Sequence, residues 1–211
     1  MLNAVILASG NGSNFEAIAQ QADAINLSIK ALIVNEKDAF ALKRAEKYNI
    51  PGIVIEHRSF TDRKAFDQAL DNTIRQQQPV DYIILAGFMR ILTTDFVRTY
   101  HHKIINIHPS LLPRHKGLNT HHKAIMAKDT YHGSTIHFVS NKLDGGPIIL
   151  QTKVRVEPED DVISLTNKVQ RKEHKYYPLV IAWLAQRRII LKTNQIYFDG
   201  KPLPEEGIQV D

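Results

Sequence analysis

The 211-residue chain contains no cysteine, which excludes a disulfide framework, a thiolate nucleophile and any thiolate metal site. Long apolar runs are missing too. The amino terminus, Met1-Leu2-Asn3-Ala4-Val5-Ile6-Leu7-Ala8, has no basic lead and is too short for a signal peptide or membrane span, so it reads as a first buried strand. These absences point to a cytoplasmic protein without a membrane partner. No internal repeat or low-complexity segment interrupts the chain. Histidine is abundant, ten in all, among them positions 101, 102, 108, 115, 121, 122, 132, 137 and 174, yet H-E-x-x-H, H-x-H and Cys/His sets are lacking. His132 and His137, five apart, would face opposite sides of a regular strand. No metal is expected, and most of these histidines are expected in loops or on the surface.

What the chain does have is an ordinary globular balance, 43% apolar and 23% charged residues, with a net charge of +5. The positive sign favours anionic partners, small phosphorylated or carboxylated molecules among them. Arg171, Lys172, Lys175, Arg187 and Arg188 could form a nucleic-acid patch, but no aromatic stripe accompanies them for base stacking. They read as a solvated face, and no nucleic-acid partner is expected.

Apolar runs alternate with helical patterns along the first half. A strand at 4–8 meets the turn Ser9-Gly10-Asn11-Gly12-Ser13-Asn14, after which Phe15, Ile18 and Ala22 recur at helical spacing. Strand 29–34, helix 39–48, strand 53–55, a helix from about 62 to 78, and strands 80–86 and 103–108 follow. This alternation predicts an α/β fold, Rossmann-like, with a mostly parallel twisted sheet and helices on both faces. Ligands in such sheets sit beyond the carboxyl ends of the strands. Beyond Pro113 a polar connection, 114–131, holds a helix-compatible piece at 122–128 and has the character of a lid or binding loop. Strands 134–139 and 147–154 flank a turn containing Asp144-Gly145-Gly146. Glu159-Asp160-Asp161 opens a long amphipathic helix with Val162, Leu165, Val169, Tyr176, Val180 and Leu184 on its apolar face. The tail from 189 to 211 shows hairpin features around Tyr197-Phe198-Asp199-Gly200 and no visible chemistry.

Two segments carry candidate chemistry. Asn106 and His108 lie two apart at the end of an apolar strand that Pro109 terminates, so their side chains point the same way. Asp144 sits at a hairpin tip. An amide and an imidazole converging on one volume could hold an oxygen that becomes negative, with a carboxylate to orient the imidazole and keep it protonated. On spacing alone the three could equally be unconnected hydrogen-bonding residues. The glycine turn is similarly open: its amides could cradle a phosphate at a helix start, or simply join strand to helix. It is neither a dinucleotide fingerprint, because Phe15 stands where the third glycine belongs, nor a Walker loop, because no G-K-S or G-K-T follows.

Taken in order, Ser9-Gly-Asn-Gly-Ser-Asn14, Leu85-Ala-Gly-Phe-Met-Arg-Ile-Leu92, Asn106-Ile-His-Pro-Ser-Leu-Leu-Pro113, Gly133-Ser-Thr-Ile-His-Phe-Val139, Leu143-Asp-Gly-Gly-Pro147 and Gln170 with Glu173-His174 closely resemble the folate-dependent phosphoribosylglycinamide formyltransferase family of purine biosynthesis. The resemblance runs over essentially the whole chain. Asn141 departs from it where an acidic or apolar residue is usual, and Asn119 where many members have histidine. The resemblance implies a single domain over 1–211, with a phosphate-binding lobe over about 1–100. A catalytic and folate-binding lobe over about 101–211 would share the same sheet.

It further implies that Gly12, Ser13 and Asn14 hold the phosphate of 5-phosphoribosylglycinamide, and that Gln170 and Glu173 orient its ribose and glycinamide. Arg63 and Met89-Arg90-Ile91-Leu92 would contact 10-formyltetrahydrofolate, with Leu85 and Val97 as apolar wall and Asn106 at the formyl oxygen. The expected activity is formyl transfer from that folate to the substrate amine, which explains why no protein nucleophile is visible. A tRNA formyltransferase would need an additional carboxy-terminal domain and a formyl-folate hydrolase an extra amino-terminal one, which makes both, like a sugar-nucleotide formyltransferase, secondary expectations. A regulatory module that binds nucleotides without catalysis would not need Asn106, His108 and Asp144 together.

Overall fold

The computed structural model describes residues 1–211, and the chain forms two compact units, Met1–Ile105 and Asn106–Asp211. The first begins with β1 (Leu2–Ala8), α1 (Ser13–Ala19), β2 (Leu27–Val34), α2 (Ala41–Lys47) and β3 (Gly52–Val54). It continues with α3 (Arg63–Gln76), β4 (Tyr82–Leu85), α4 (Thr94–Thr99) and the first residues of β5 (Ile104–His108). Strands run in the order β4-β1-β2-β3 and every pairing among them is parallel. Ala4 to Ala8 in β1 are wholly buried, which is why that strand reads as an unbroken apolar run rather than an alternating one. In α3 the spacing of Phe66, Leu70 and Ile74 turns one face inward, while the Asp62 side chain accepts from the Ala65 amide at 2.8 Å and caps the helix.

In the second unit, β5 is followed by α5 (Thr120–Met126), β6 (Tyr131–Phe138), β7 (Ile148–Arg155) and α6 (Val162–Ala185). The tail carries β8 (Ile189–Lys192), β9 (Gln195–Phe198), β10 (Lys201–Pro202) and β11 (Ile208–Val210). The strand order is β11-β7-β6-β5. β6 and β7 form an antiparallel hairpin, whereas β11 lies parallel to β7. α6 starts from a capping box in which Asp161 accepts from the Ser164 amide at 2.7 Å and the Ser164 hydroxyl accepts from the Asp161 amide at 3.0 Å. Its buried Leu165 and Val169 pack with Ala124 of α5 and Val154 of β7.

The architecture is α/β with a mostly parallel sheet, as the alternation of strands and helices implied. Differences are local. α1 ends at Ala19, short of Ala22, and α5 begins two residues before the expected helix. α4 was not anticipated, because six residues are too few to show a period. In the tail, β8, β9 and β10 make a small antiparallel sheet. It has a turn at Thr193-Asn194 as well as at Asp199-Gly200, all four residues having positive φ.

The hairpin of β6 and β7 closes tightly. A Cβ at Gly146 would lie 1.8 Å from the Phe138 carbonyl oxygen and 3.2 Å from the Ser140 nitrogen, so no side chain fits without moving backbone. Gly146→Ala is therefore expected to destabilise the protein by about 3 kcal/mol, measured as a lower urea midpoint; an unchanged midpoint would contradict this packing.

Candidate active site

His108 ends β5 and is buried. Its Nε2 donates to the His115 carbonyl oxygen at 3.0 Å, which leaves Nδ1 as the ring nitrogen that faces Asp144, 3.6 Å from Oδ2. Asp144 Oδ2 accepts from the Gly117 amide at 2.8 Å. Asp144 has a φ of 45°, a left-handed conformation that aspartate tolerates better than most residues. The turn between β6 and β7 thus delivers the carboxylate expected at its tip. Asn106, two residues before His108, contacts a group that spacing did not single out: its Nδ2 donates to His137 Nε2 at 3.2 Å. His137 Nδ1 donates to the Phe138 carbonyl oxygen at 2.9 Å, so the ring is an Nδ1–H tautomer and Nε2 is free to accept. That assignment also orients the Asn106 amide.

Most histidines lie outside the core, as expected, but three do not. His108, His132 and His137 are buried, and His132 Nε2 meets His121 Nδ1 at 3.1 Å. His115 Nε2 donates to Asp129 Oδ2 at 2.7 Å, and Arg114 pairs with the other oxygen of the same buried carboxylate. The register of the β6 and β7 pair shifts at His137: Ile136 lies opposite Leu150 and His137 opposite Ile148, so the extra residue, Ile149, belongs to β7. Burial, then the Phe138 bond against it, sets the His137 imidazole, which is pushed down to about 4. His132 is also lowered to about 4, by burial first and then by His121 and His115. His121 is lowered by burial and by the His108 charge. No group of three or more His, Asp or Glu side chains is arranged to hold a metal ion.

The other candidates of this unit lie on α6. Gln170 is partly exposed, and Glu173, one turn further on, is a buried carboxylate.

In the first unit, Gly12 precedes α1 with a φ of 76°, and a Cβ there would meet Ala41 Cβ at 2.6 Å. Glycine is required at this point. The loop is pinned from α2: the Ala41 amide donates to the Gly10 carbonyl at 3.0 Å, and Arg44 donates to both Asn11 oxygens at 2.9 and 2.8 Å. Ser13 and Asn14 open the helix itself. A serine joins this loop to the segment expected to meet folate. Ser9 Oγ donates to the buried Asn35 Oδ1 at 2.5 Å and accepts from the Met89 amide at 2.7 Å. Met89 and Ile91 are exposed large apolar side chains, while Leu85 and Val97 are buried. The Arg90 guanidinium lies over the Phe66 ring, 5.7 Å from its centroid, with Nε buried and without a hydrogen-bond partner. Arg63 stands exposed as the first residue of α3. Every folate candidate except Asn106 thus belongs to the unit that ends at Ile105.

A buried imidazole held by a carbonyl, a carboxylate beside it and an oriented amide suit transfer of an acyl group to an external nucleophile. Comparison with known proteins defines the class: the family described as formyl transferase matches residues 2–181. The phosphoribosylglycinamide formyltransferase of Escherichia coli strain K12 is 43% identical over 100% of both chains. That of Haemophilus influenzae is 42% identical over 98% of each. A solved phosphoribosylglycinamide formyltransferase from Coxiella burnetii superposes with a TM-score of 0.95 at 42% identity, covering 100% of this chain and 99% of that one. The chain belongs to the phosphoribosylglycinamide formyltransferase family. No helix is long and apolar enough to cross a membrane.

The two strongly lowered histidines fix a pH response. Each titrates near 6.5 when unfolded and near 4 when folded. Between those values the unfolded chain binds more protons, so stability falls as pH drops from about 6.5 through 4. The expected slope is about 1.4 kcal/mol per pH unit for each group. Urea midpoints across this window should decline, and His132→Gln should remove roughly one proton's worth of the slope; an identical slope in that variant would contradict the assignment.

Proposed function

We propose that the chain transfers the formyl group of 10-formyltetrahydrofolate to the amine of 5-phosphoribosylglycinamide. The products are 5-phosphoribosyl-N-formylglycinamide and tetrahydrofolate. The observation that carries this reading is the set of Asn106, His108 and Asp144: donors and a carboxylate with no nucleophile among them. Ser110, the nearest hydroxyl in sequence, is buried and donates to the Arg114 carbonyl at 2.7 Å. The substrate amine is the nucleophile. A primary α-amine titrates near 7.7 to 8, so an appreciable neutral fraction exists at pH 7 without a strong base.

The amine lone pair forms a bond to the formyl carbon and the carbonyl electrons move onto oxygen. Because His108 Nε2 is committed to the His115 carbonyl, a proton on Nδ1 serves the oxyanion, and Asp144 supplies the counter-charge. One Asn106 N–H is held by His137, so the second serves the same oxygen. Asp144 keeps one oxygen on the Gly117 amide and with the other takes a proton from the newly bonded nitrogen. Passed on through water to N10, that proton lets the carbon to N10 bond break, so that tetrahydrofolate leaves neutral at that nitrogen.

Gly12, Ser13 and Asn14 are assigned to the acceptor phosphate, supported by the forced left-handed glycine and the amides opening α1. Gln170 and Glu173 are assigned to its ribose and glycinamide. Arg63, Leu85, Met89, Arg90, Ile91, Leu92 and Val97 are assigned to folate, with exposed Met89 and Ile91 and the unpartnered Arg90 Nε as support.

The test follows loss of formyl folate with and without the amine acceptor. Acceptor-dependent turnover is expected, and His108→Ala and Asp144→Ala should each lower kcat by about two to three decades. Turnover without acceptor would indicate a hydrolase. Binding without turnover would indicate a non-catalytic module, and near-normal turnover in either variant would refute the assigned roles.

A further inference from the structure

We infer that Asp129 is a positioning residue for the reacting centre: it anchors the segment from Arg114 to Gly117, whose backbone holds both His108 and Asp144. The inference rests on the proposed role of His108. Within three residues the segment makes two unlike contacts. The His115 carbonyl accepts from His108 Nε2 at 3.0 Å, and the Gly117 amide donates to Asp144 Oδ2 at 2.8 Å. The first selects which imidazole nitrogen carries the permanent proton, leaving Nδ1 for chemistry. The second fixes which carboxylate oxygen is spent. A small rotation of this backbone would disturb both partners together.

The segment does not hold that shape unaided. His115 has a φ of 51° and Gly117 one of 75°, and at His115 a left-handed conformation persists only when the surroundings enforce it. On the upstream side the enforcement is visible. Ser110 Oγ donates to the Arg114 carbonyl at 2.7 Å, Thr135 Oγ1 donates to the Ser110 carbonyl at 2.6 Å, and Gln151 Nε2 donates to the Leu112 carbonyl at 2.8 Å. Downstream of Arg114 it comes from Asp129, which follows α5. Its two oxygens take Arg114 Nη2 and His115 Nε2, its backbone amide donates to the Ala124 carbonyl at 3.0 Å, and only 8% of the residue is exposed. Removing so buried a carboxylate leaves the His115 imidazole, whose side chain is only 14% exposed, without its partner, while the 60% exposed Arg114 guanidinium is taken up by solvent. Asp129 itself has no contact with the three residues assigned to the reaction.

The test uses the ring-nitrogen NMR signals of His108 in the full ligand-free chain, identified by their loss in His108→Ala, together with steady-state kinetics. In the wild type, at a pH where the ring is neutral, His108 should show the Nε2–H pattern with that proton hydrogen-bonded to the His115 carbonyl. Asp129→Ala should lose this pattern in favour of mixed tautomers and lower kcat by about tenfold to a hundredfold, with KM for the amine acceptor changed by less than about threefold. Should Asp129→Ala not fold, Asp129→Asn keeps the volume but cannot accept from both partners, and the same two readouts apply. The native His108 pattern with native kcat in the folded variant overturns the inference. So does a fall in kcat with the native pattern, or loss of the pattern with native kcat. Failure of the proposed reaction would instead appear in the wild type, as absent acceptor-dependent turnover.

Discussion

A buried imidazole must find a partner for each ring nitrogen, because an unpaired polar atom in the interior costs about 1 to 3 kcal/mol. Most of the local structure around His108 follows from meeting that demand. Its Nε2 needs an acceptor, and the chain supplies one by folding the segment after Pro113 back until a carbonyl arrives. His137 needs an acceptor for Nδ1 and a donor for Nε2, and finds the first in the next residue and the second in Asn106. His115 is satisfied by Asp129. Each solution fixes the geometry of a neighbour, so a set of separate satisfactions becomes a rigid arrangement.

Periodicity revealed what periodicity can encode. The buried run of β1, the capped four-residue spacing of α3 and the acidic start of α6 were legible because each is a local rule about one element. Asn106 and His108 were legible for a similar reason: alternation on a strand put them side by side, and a proline marked the strand's end. Asp144 could be placed because glycines beside an aspartate mark a turn. His115, Asp129 and His137 could not be found this way. Their partners lie 14 to 31 positions distant, and nothing in the spacing of histidines says which pairs will share a hydrogen bond. One signal was available. A histidine inside the otherwise buried run Ser134-Thr-Ile-His-Phe138 has to be paired with something.

Nearly all residues assigned to folate share a unit with the glycine loop, and Ser9 links the two directly through its hydroxyl. The second unit holds the three residues assigned to the reaction, Asn106, His108 and Asp144, and the carboxylate of Glu173 on α6. Each unit therefore combines a rigid strand end with a loop that the rest of that unit pins, which is how a fold sets reactive groups without placing them in mobile connections.

The tail, which showed no chemistry in sequence, has a different kind of importance. β11 lies along β7 with Ile208 opposite Leu150 and Val210 opposite Thr152, so the hairpin that carries Asp144 does not present an open edge. An uncovered strand of that length, with Ile148, Ile149 and Leu150 at its start, would invite pairing with other chains and aggregation. Gln209 goes further. Its Nε2 donates to Gln151 Oε1 at 3.1 Å, which settles which end of the Gln151 amide is the donor. Thus a strand of three residues both covers the long edge of β7, leaving only its own short edge exposed, and decides the orientation of an amide that holds the turn after His108.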